Sequence, residues 1–239
     1  MFKIVIFTYG LLLSTVWAKD LRLAIGDELP PYIFKNSQRG IEYEIVKEAL
    51  AIKGHKLIPR YVPLARLLRH VQKDGIDGAL TISENFNTRG MFLSNPYITY
   101  QNVVVSLAKN KVIINNLSHF KMKNILSFQN SKRYLGDDYS YATVTCRKYS
   151  EVNNQEIQVA MLLRGRVDAI VIDKNIFLYH YKNSKKIDVH KEAKIHNLFS
   201  PSHYRALFKS EKVRQDFNEG LKELVETGRY SRILSSYTN

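Results

Sequence analysis

Cysteine is nearly absent from this 239-residue chain. Cys146 stands alone, so no intramolecular disulfide can form. Acidic residues are also scarce, 22 against 36 lysines and arginines, which leaves a formal net charge of +14. The basic residues are scattered, with no run of five or six, and neither zinc-finger spacing nor an Arg/Gly-rich or tandem aromatic RNA-binding motif accompanies them. The charge therefore reads as a solvated basic surface, and no nucleic-acid partner is expected. The chain also lacks a G-x-S-x-G nucleophile elbow, an H-E-x-x-H pair and a P-loop. Its seven histidines are dispersed without metal-ligand spacing. The stretch "DGIDG" (residues 74–78) looks like the start of a calcium loop but lacks the glutamate twelve positions along. No metal, cofactor or catalytic residue is expected.

Long apolar character is confined to the start. "MFKIVIFTYGLLLSTVWA" places Lys3 before an apolar stretch and ends in Val16-Trp17-Ala18. This pattern predicts a secretory signal over residues 1–18, cleaved after Ala18. It is too short for a membrane span, and no cysteine near the cleavage site could carry a lipid. Removing Lys3 leaves 35 basic against 22 acidic residues, a net charge of +13. Export without disulfides fits the bacterial periplasm.

The remainder alternates strands and helices. "LRLAIGD" (Leu21–Asp27) reads as a buried strand running into "ELPPYIF", where two prolines forbid helix. "IEYEIVKEALAIKG" has helical spacing at Ile41, Ile45, Val46, Ala49, Leu50 and Ile52. "HKLIPRYV" reads as a strand, "PLARLLRHVQKDG" as a helix opened by Pro63, and "IDGALTI" and "NVVVSLA" as strands. The second half continues with strand "KNILSF", helix "NSKRYLG" capped by Asn130 or Ser131, strand "YATVTC", and helix "NNQEIQVAMLLRG" with Asn153 and Glu156 as a capping box. Strand "RVDAIVI" and helix "DKNIFLYHYK", capped by Asp173, follow. The tail reads as two amphipathic helices broken at Gly228. This order predicts an α/β fold of two lobes, each with a mainly parallel sheet flanked by helices.

One phrase occurs twice: "KDGIDGALTISEN" (Lys73–Asn85) and "RGRVDAIVIDKN" (Arg164–Asn175). Read as corresponding strands of the two lobes, both end where ligands collect in such sheets, just outside the carboxyl ends. Thr81, Ile82, Ser83 and Glu84 follow the first strand, and Asp173 follows the second. Arg89 could clamp a carboxylate through its guanidinium fork, or be a solvated loop arginine. Asp173 could hold an ammonium, or simply cap its helix.

From Leu21 onward the chain resembles the periplasmic solute-binding proteins of amino-acid-type (family 3) ABC importers, in a divergent branch. The resemblance is carried by "LPPYIF", "GIEYEIVKEAL", the run from Val62 to Leu107, "LLRGRVDAIVID" and "LVETGRYSRIL". It implies a type II-like periplasmic binding protein fold with two lobes joined by two hinge strands. The implied boundaries are 19–106 for the first part of lobe 1, 107–195 for lobe 2, and 196–239 for the return to lobe 1, with the crossing near Val104–Leu107. It further implies that Arg89, twelve positions after Asp77, takes a ligand carboxylate, and that Asp173, five after Asp168, takes an α-ammonium. Thr81 matches a ligand-contacting position. The family's first-loop aromatic falls near Leu29 here, with Tyr32 the nearest substitute, and a position often serine is Glu84. Asn130 and Ser131 could bind an anion at a helix start, and Arg66 could face the cleft or lie on a solvated helix face. The implied protein is a monomer that closes on a small solute, an amino acid or related compound, and delivers it to an inner-membrane permease. A ligand-sensing role read by a membrane receptor, and a cyclohexadienyl-dehydratase-like activity using Glu84 beside Arg89, are the alternatives.

Overall fold

The computed structural model describes residues 19–63, 66–73, 75–83, 87–184 and 192–238. The predicted export signal and Glu84 lie outside the described residues. The first half comprises β1 (Asp20–Gly26), α1 (Ile41–Ile52), β2 (Lys56–Val62), α2 (Leu67–Val71), β3 (Gly78–Ser83) and β4 (Phe92–Tyr100). The second comprises β5 (Asn102–Leu107), β6 (Asn124–Phe128), α3 (Ser131–Leu135), α4 (Asp137–Val144), β7 (Lys148–Val152), α5 (Gln155–Leu163), β8 (Ala169–Asp173), α6 (Lys174–Asn183) and β9 (Ala193–His196). β10 (Ser202–Phe208), α7 (Glu211–Glu226) and α8 (Arg229–Thr238) complete the chain. Among the described residues, no helix is long and apolar enough to cross a membrane.

Two five-stranded sheets form, in the orders β2-β1-β3-β10-β4 and β7-β6-β8-β5-β9. Their plans match. In each, three strands run parallel, and a fourth, β10 or β5, inserts antiparallel between the third and the edge. The sheets are thus mixed: strand–helix alternation supplies the parallel trio, and the segments linking the sheets supply the antiparallel pairs. β5 lies wholly in the second sheet, so the chain changes sheets at Gln101, between β4 and β5, ahead of the expected crossing at Val104–Leu107. It returns between His196 and Ser202.

The doubled phrase becomes β3 and β8, the middle strand of each sheet. The aspartate before each strand ties it to its parallel neighbour. Asp77 gives its amide to the Arg22 carbonyl (2.8 Å) and accepts the Arg22 amide on its carboxylate (2.9 Å). Asp168 does the same with Asn124, at 2.9 and 2.7 Å. One local solution is used twice: an aspartate side chain extends the ladder by one bond where the strand has not yet begun.

Two local expectations are corrected. "YATVTC" is the end of α4 and the turn beyond it, not a strand. Asp137 and Asp138 suit that helix's amino terminus, Tyr139 and Thr143 face inward one turn apart, and the β-branched Val144 is left exposed at the last position. α5 is capped by Asn154, whose side chain accepts the Ile157 amide at 3.1 Å, rather than by an Asn153–Glu156 box. β4 and β7 arise from stretches without a clean period-two pattern; both are edge strands, where Pro96 of β4 is tolerated.

The carboxyl-terminal helices lie over the first sheet. α7 turns Val213, Phe217, Leu221 and Leu224 inward, and Gly220 meets α1 so closely that a methyl group there would sit 2.0 Å from the Ala49 carbonyl oxygen. Helix propensity alone would make Gly220→Ala stabilising by about 1 kcal/mol. Separating α1 from α7 costs more, on the order of 1–3 kcal/mol, so the variant is expected to melt below the parent protein in thermal unfolding. An equal or higher melting temperature would show that the helices do not need this close approach.

Candidate functional site

The carboxyl ends of β3 and β8 meet at a narrow cleft between the sheets. The first side contributes Leu29, Thr81, Tyr100 and Tyr204; the second contributes Asn102, Phe128, Tyr134, Gln155, Asp173 and Ile176. The free volume is only about 40 Å³, little more than one water's share of the liquid, roughly 30 Å³. The cleft is narrow and leaves little free space.

Asp173 ends β8 and caps α6, and it is 3% exposed. One carboxylate oxygen accepts the amides of Asn175 (2.9 Å) and Ile176 (3.1 Å) and the hydroxyl of Tyr32 (3.1 Å). The other accepts the amide of Gln101 (2.8 Å), in the link between the sheets. Burial pushes the Asp173 carboxyl up to about 6, and the bonds from Ile176, Gln101, Tyr32 and Asn175 only partly oppose it. Tyr32 comes from the other side, in the loop after β1. Its hydroxyl also accepts the Asn175 side-chain amide (3.1 Å). Burial and the neighbouring Asp173 charge keep the phenol protonated, well above its usual value, so it stays a donor.

Behind Tyr32 lies a second acid. The Tyr32 ring stacks on Tyr100 (centroids 4.0 Å apart, 15° between planes), and the Tyr100 hydroxyl donates to Glu42 at 2.8 Å. Glu42 is fully buried at the start of α1, and also accepts hydroxyls from Thr81 (2.6 Å) and Tyr97. Burial raises its carboxyl against the pull of these three hydroxyls. Thr81 holds a left-handed backbone, φ 58°, a costly conformation for a β-branched residue. Its amide donates to Tyr97 (3.0 Å) while its hydroxyl holds Glu42.

The expected residues divide. Thr81, Asp173 and Tyr32 come together here. Ile82 is in the apolar core with Ala24, Val62 and Leu67, and Ser83 pairs with Tyr204 in the ladder without lining the cleft. Arg89 is exposed and donates to Gln72 (3.0 Å), so it is not brought to Asp173. Arg66 is exposed at the start of α2, its carbonyl bonded to the His70 ring (3.2 Å). Asn130 and Ser131 meet no free anion site, because the protein's own Glu151 accepts the Asn130 amide (2.8 Å) and the Ser131 hydroxyl (2.9 Å). Burial would raise Glu151, but Tyr149, Ser131 and the amides of Asn130 and Lys132 outweigh it and hold its carboxyl below the usual range.

Sequence reasoning missed Glu42, Tyr97, Tyr100, Tyr204 and Gln155. Glu42 left a signal: with Ile45, Val46 and Ala49 it falls on the buried face of α1, where a carboxylate is out of place. The tyrosines left none, because which strand residues face the cleft depends on register.

Residues 21–239 match the family described as bacterial extracellular solute-binding proteins, family 3, and the chain belongs to it. Solved structures share the fold. An ancestral arginine-binding protein bound to arginine is 20% identical, with a TM-score of 0.74 over 92% of this chain and 98% of its own. A histidine kinase sensor domain with similarity to periplasmic binding proteins is 14% identical (TM-score 0.75; 91% and 95%). An ancestral amino-acid-binding protein, a precursor of cyclohexadienyl dehydratase, is 17% identical (TM-score 0.71; 92% and 96%).

The Asp173 environment sets a pH dependence. Its folded-state carboxyl is raised from 3.8 to about 6. A raised acid favours folding below its unfolded value and loses that contribution as pH climbs through the folded one. Asparagine at the same position keeps the cap acceptor but not the charge. The stability of Asp173→Asn relative to the parent is therefore expected to rise between about pH 4 and pH 7, by on the order of 2–3 kcal/mol. Chemical denaturation of both proteins at the two pH values measures it. An unchanged gap would mean that Asp173 is not held in a charge-disfavouring site.

Proposed function

We propose that this member of the extracellular solute-binding family binds a small polar solute carrying a protonated amine, an amino acid or related compound, in the cleft between its two sheets. The observation that carries the reading is the buried Asp173 carboxylate, whose remaining bond comes from the Tyr32 hydroxyl of the opposite side. An ammonium group on Asp173 would replace that neutral donor with a charged one, and charge-assisted bonds are about twice as strong. Thr81 and the tyrosine walls would complete the contact. Opening would pivot on the two links, at Gln101 and between His196 and Ser202, and would carry Tyr32 away from Asp173 with the first sheet.

The setting we propose is the periplasm, reached through the residue 1–18 export signal, with delivery to an ABC-type importer. The extracellular character of the family supports it. A sensory role would use the same closure, and the likeness to a kinase sensor domain keeps that reading alongside transport. A dehydratase-like reading through Glu84 and Arg89 draws no support from the exposed Arg89 side chain.

Isothermal titration with a panel of amino acids and amines tests the proposal. Binding to at least one amine-bearing solute is expected, together with at least a tenfold loss in Asp173→Asn that leaves the circular dichroism spectrum intact. Folded protein silent across the panel, or full affinity in the variant, would overturn it.

A further inference from the structure

We infer that the cleft selects an organic cation, an amine or guanidine, and does not need a carboxylate on its ligand. The inference rests on the solute-binding reading and narrows it.

Three observations converge. The first is charge. Among the described residues, none of those lining the cleft is lysine, arginine or histidine. The two arginines that the sequence offered, Arg66 and Arg89, are both exposed, neither lines the cleft, and Arg89 is bonded to Gln72. A ligand carboxylate would enter a space that already holds Asp173 at its wall and Glu42 one side chain behind, with no cation among the described lining residues to meet it. Burying a further negative charge beside Asp173 is disfavoured by desolvation and by repulsion together.

The second is the sense of the hydrogen bonding. Two acceptors stand in the lining. Asp173 presents a carboxylate whose one side-chain donor, Tyr32, belongs to the opposing side. Gln155 lines the same space, and its side-chain carbonyl oxygen is buried with no hydrogen-bond partner. An orphaned buried acceptor costs free energy until a donor reaches it. Ammonium and guanidinium groups are donors only, which is what Gln155 lacks and what Asp173 loses when Tyr32 withdraws with the opposing side.

The third is the wall. Tyr100, Tyr204, Phe128 and Tyr134 line the same space as these two acceptors. The Tyr100 ring is held by stacking on Tyr32 and edge-on against Tyr204, with centroids 5.0 Å apart. Aromatic rings attract a desolvated cation through their quadrupoles and bring no positive charge to a carboxylate. In the closed state Tyr32 fills the donor's place on Asp173. The ligand's cationic head takes that place, and its chain lies along the aromatic wall toward Gln155.

Matched pairs that differ at the carboxylate test the inference by isothermal titration: agmatine against L-arginine, putrescine against L-ornithine, and cadaverine against L-lysine. In at least one pair the carboxylate-free member is expected to bind about tenfold or more tightly than its partner. If the carboxylate-bearing member binds as tightly or more tightly in every pair that binds, the inference falls while solute binding stands. If all six are silent but another amino acid binds, the same conclusion follows. If no amino acid or amine binds at all, the solute-binding reading falls as well.

Discussion

Asp173 is a carboxylate shared among a helix start, an inter-sheet link and a loop of the opposite side. Its bonds to the Asn175 and Ile176 amides fix the start of α6, its bond to the Gln101 amide fixes the point where the chain passes between sheets, and its bond to Tyr32 closes the cleft. Three separate pieces of the molecule thus converge on one side chain. Burial there leaves the charge under-compensated, and this is the tension that a cationic group could relieve. The stacked Tyr32–Tyr100 pair carries the constraint inward to Glu42, which in turn holds Thr81 in its left-handed conformation. The ends of both central strands are therefore set by two buried acids and the hydroxyls that bond them.

Charge is distributed by depth. The sequence as a whole is basic, at +14, yet the cleft is lined by an acid and backed by another. Basic side chains such as Arg89 and Arg66 lie outside, where water screens them. The cleft keeps its negative character because the few acids of the chain are not all spent on surface pairs. Glu151 shows the contrary use: it neutralises the start of α3 from within and removes an anion site that its neighbours would otherwise form.

Much of the architecture was legible because it is written in local pattern. The alternation of strands and helices gave the α/β class, and the doubled phrase gave the two middle strands and the cleft at their ends. Asp173 was legible for the same reason, since it directly follows a buried strand and opens a helix. What failed to read was decided at long range. "YATVTC" has strand-like residues, but two aspartates just upstream and the inward pair Tyr139 and Thr143 make it helical. Arg89 matches its expected spacing from Asp77, yet spacing does not fix where a side chain goes, and Gln72 holds it at the surface. Glu42 belongs to the site through tyrosines more than fifty residues away in sequence, a relation that only the packed sheets reveal.

The central claim is that the Asp173 carboxylate is the group on which a ligand cation is seated. A carbon-13 NMR titration of the Asp173 side chain, in free protein and with a bound amine at saturation, tests it most directly. The account predicts a midpoint near 6 in the free protein and a clear shift to lower pH with the amine bound, because an adjacent positive charge favours the ionised acid. A midpoint that stays in place or rises on binding would show that the cation sits elsewhere, and would contradict the account.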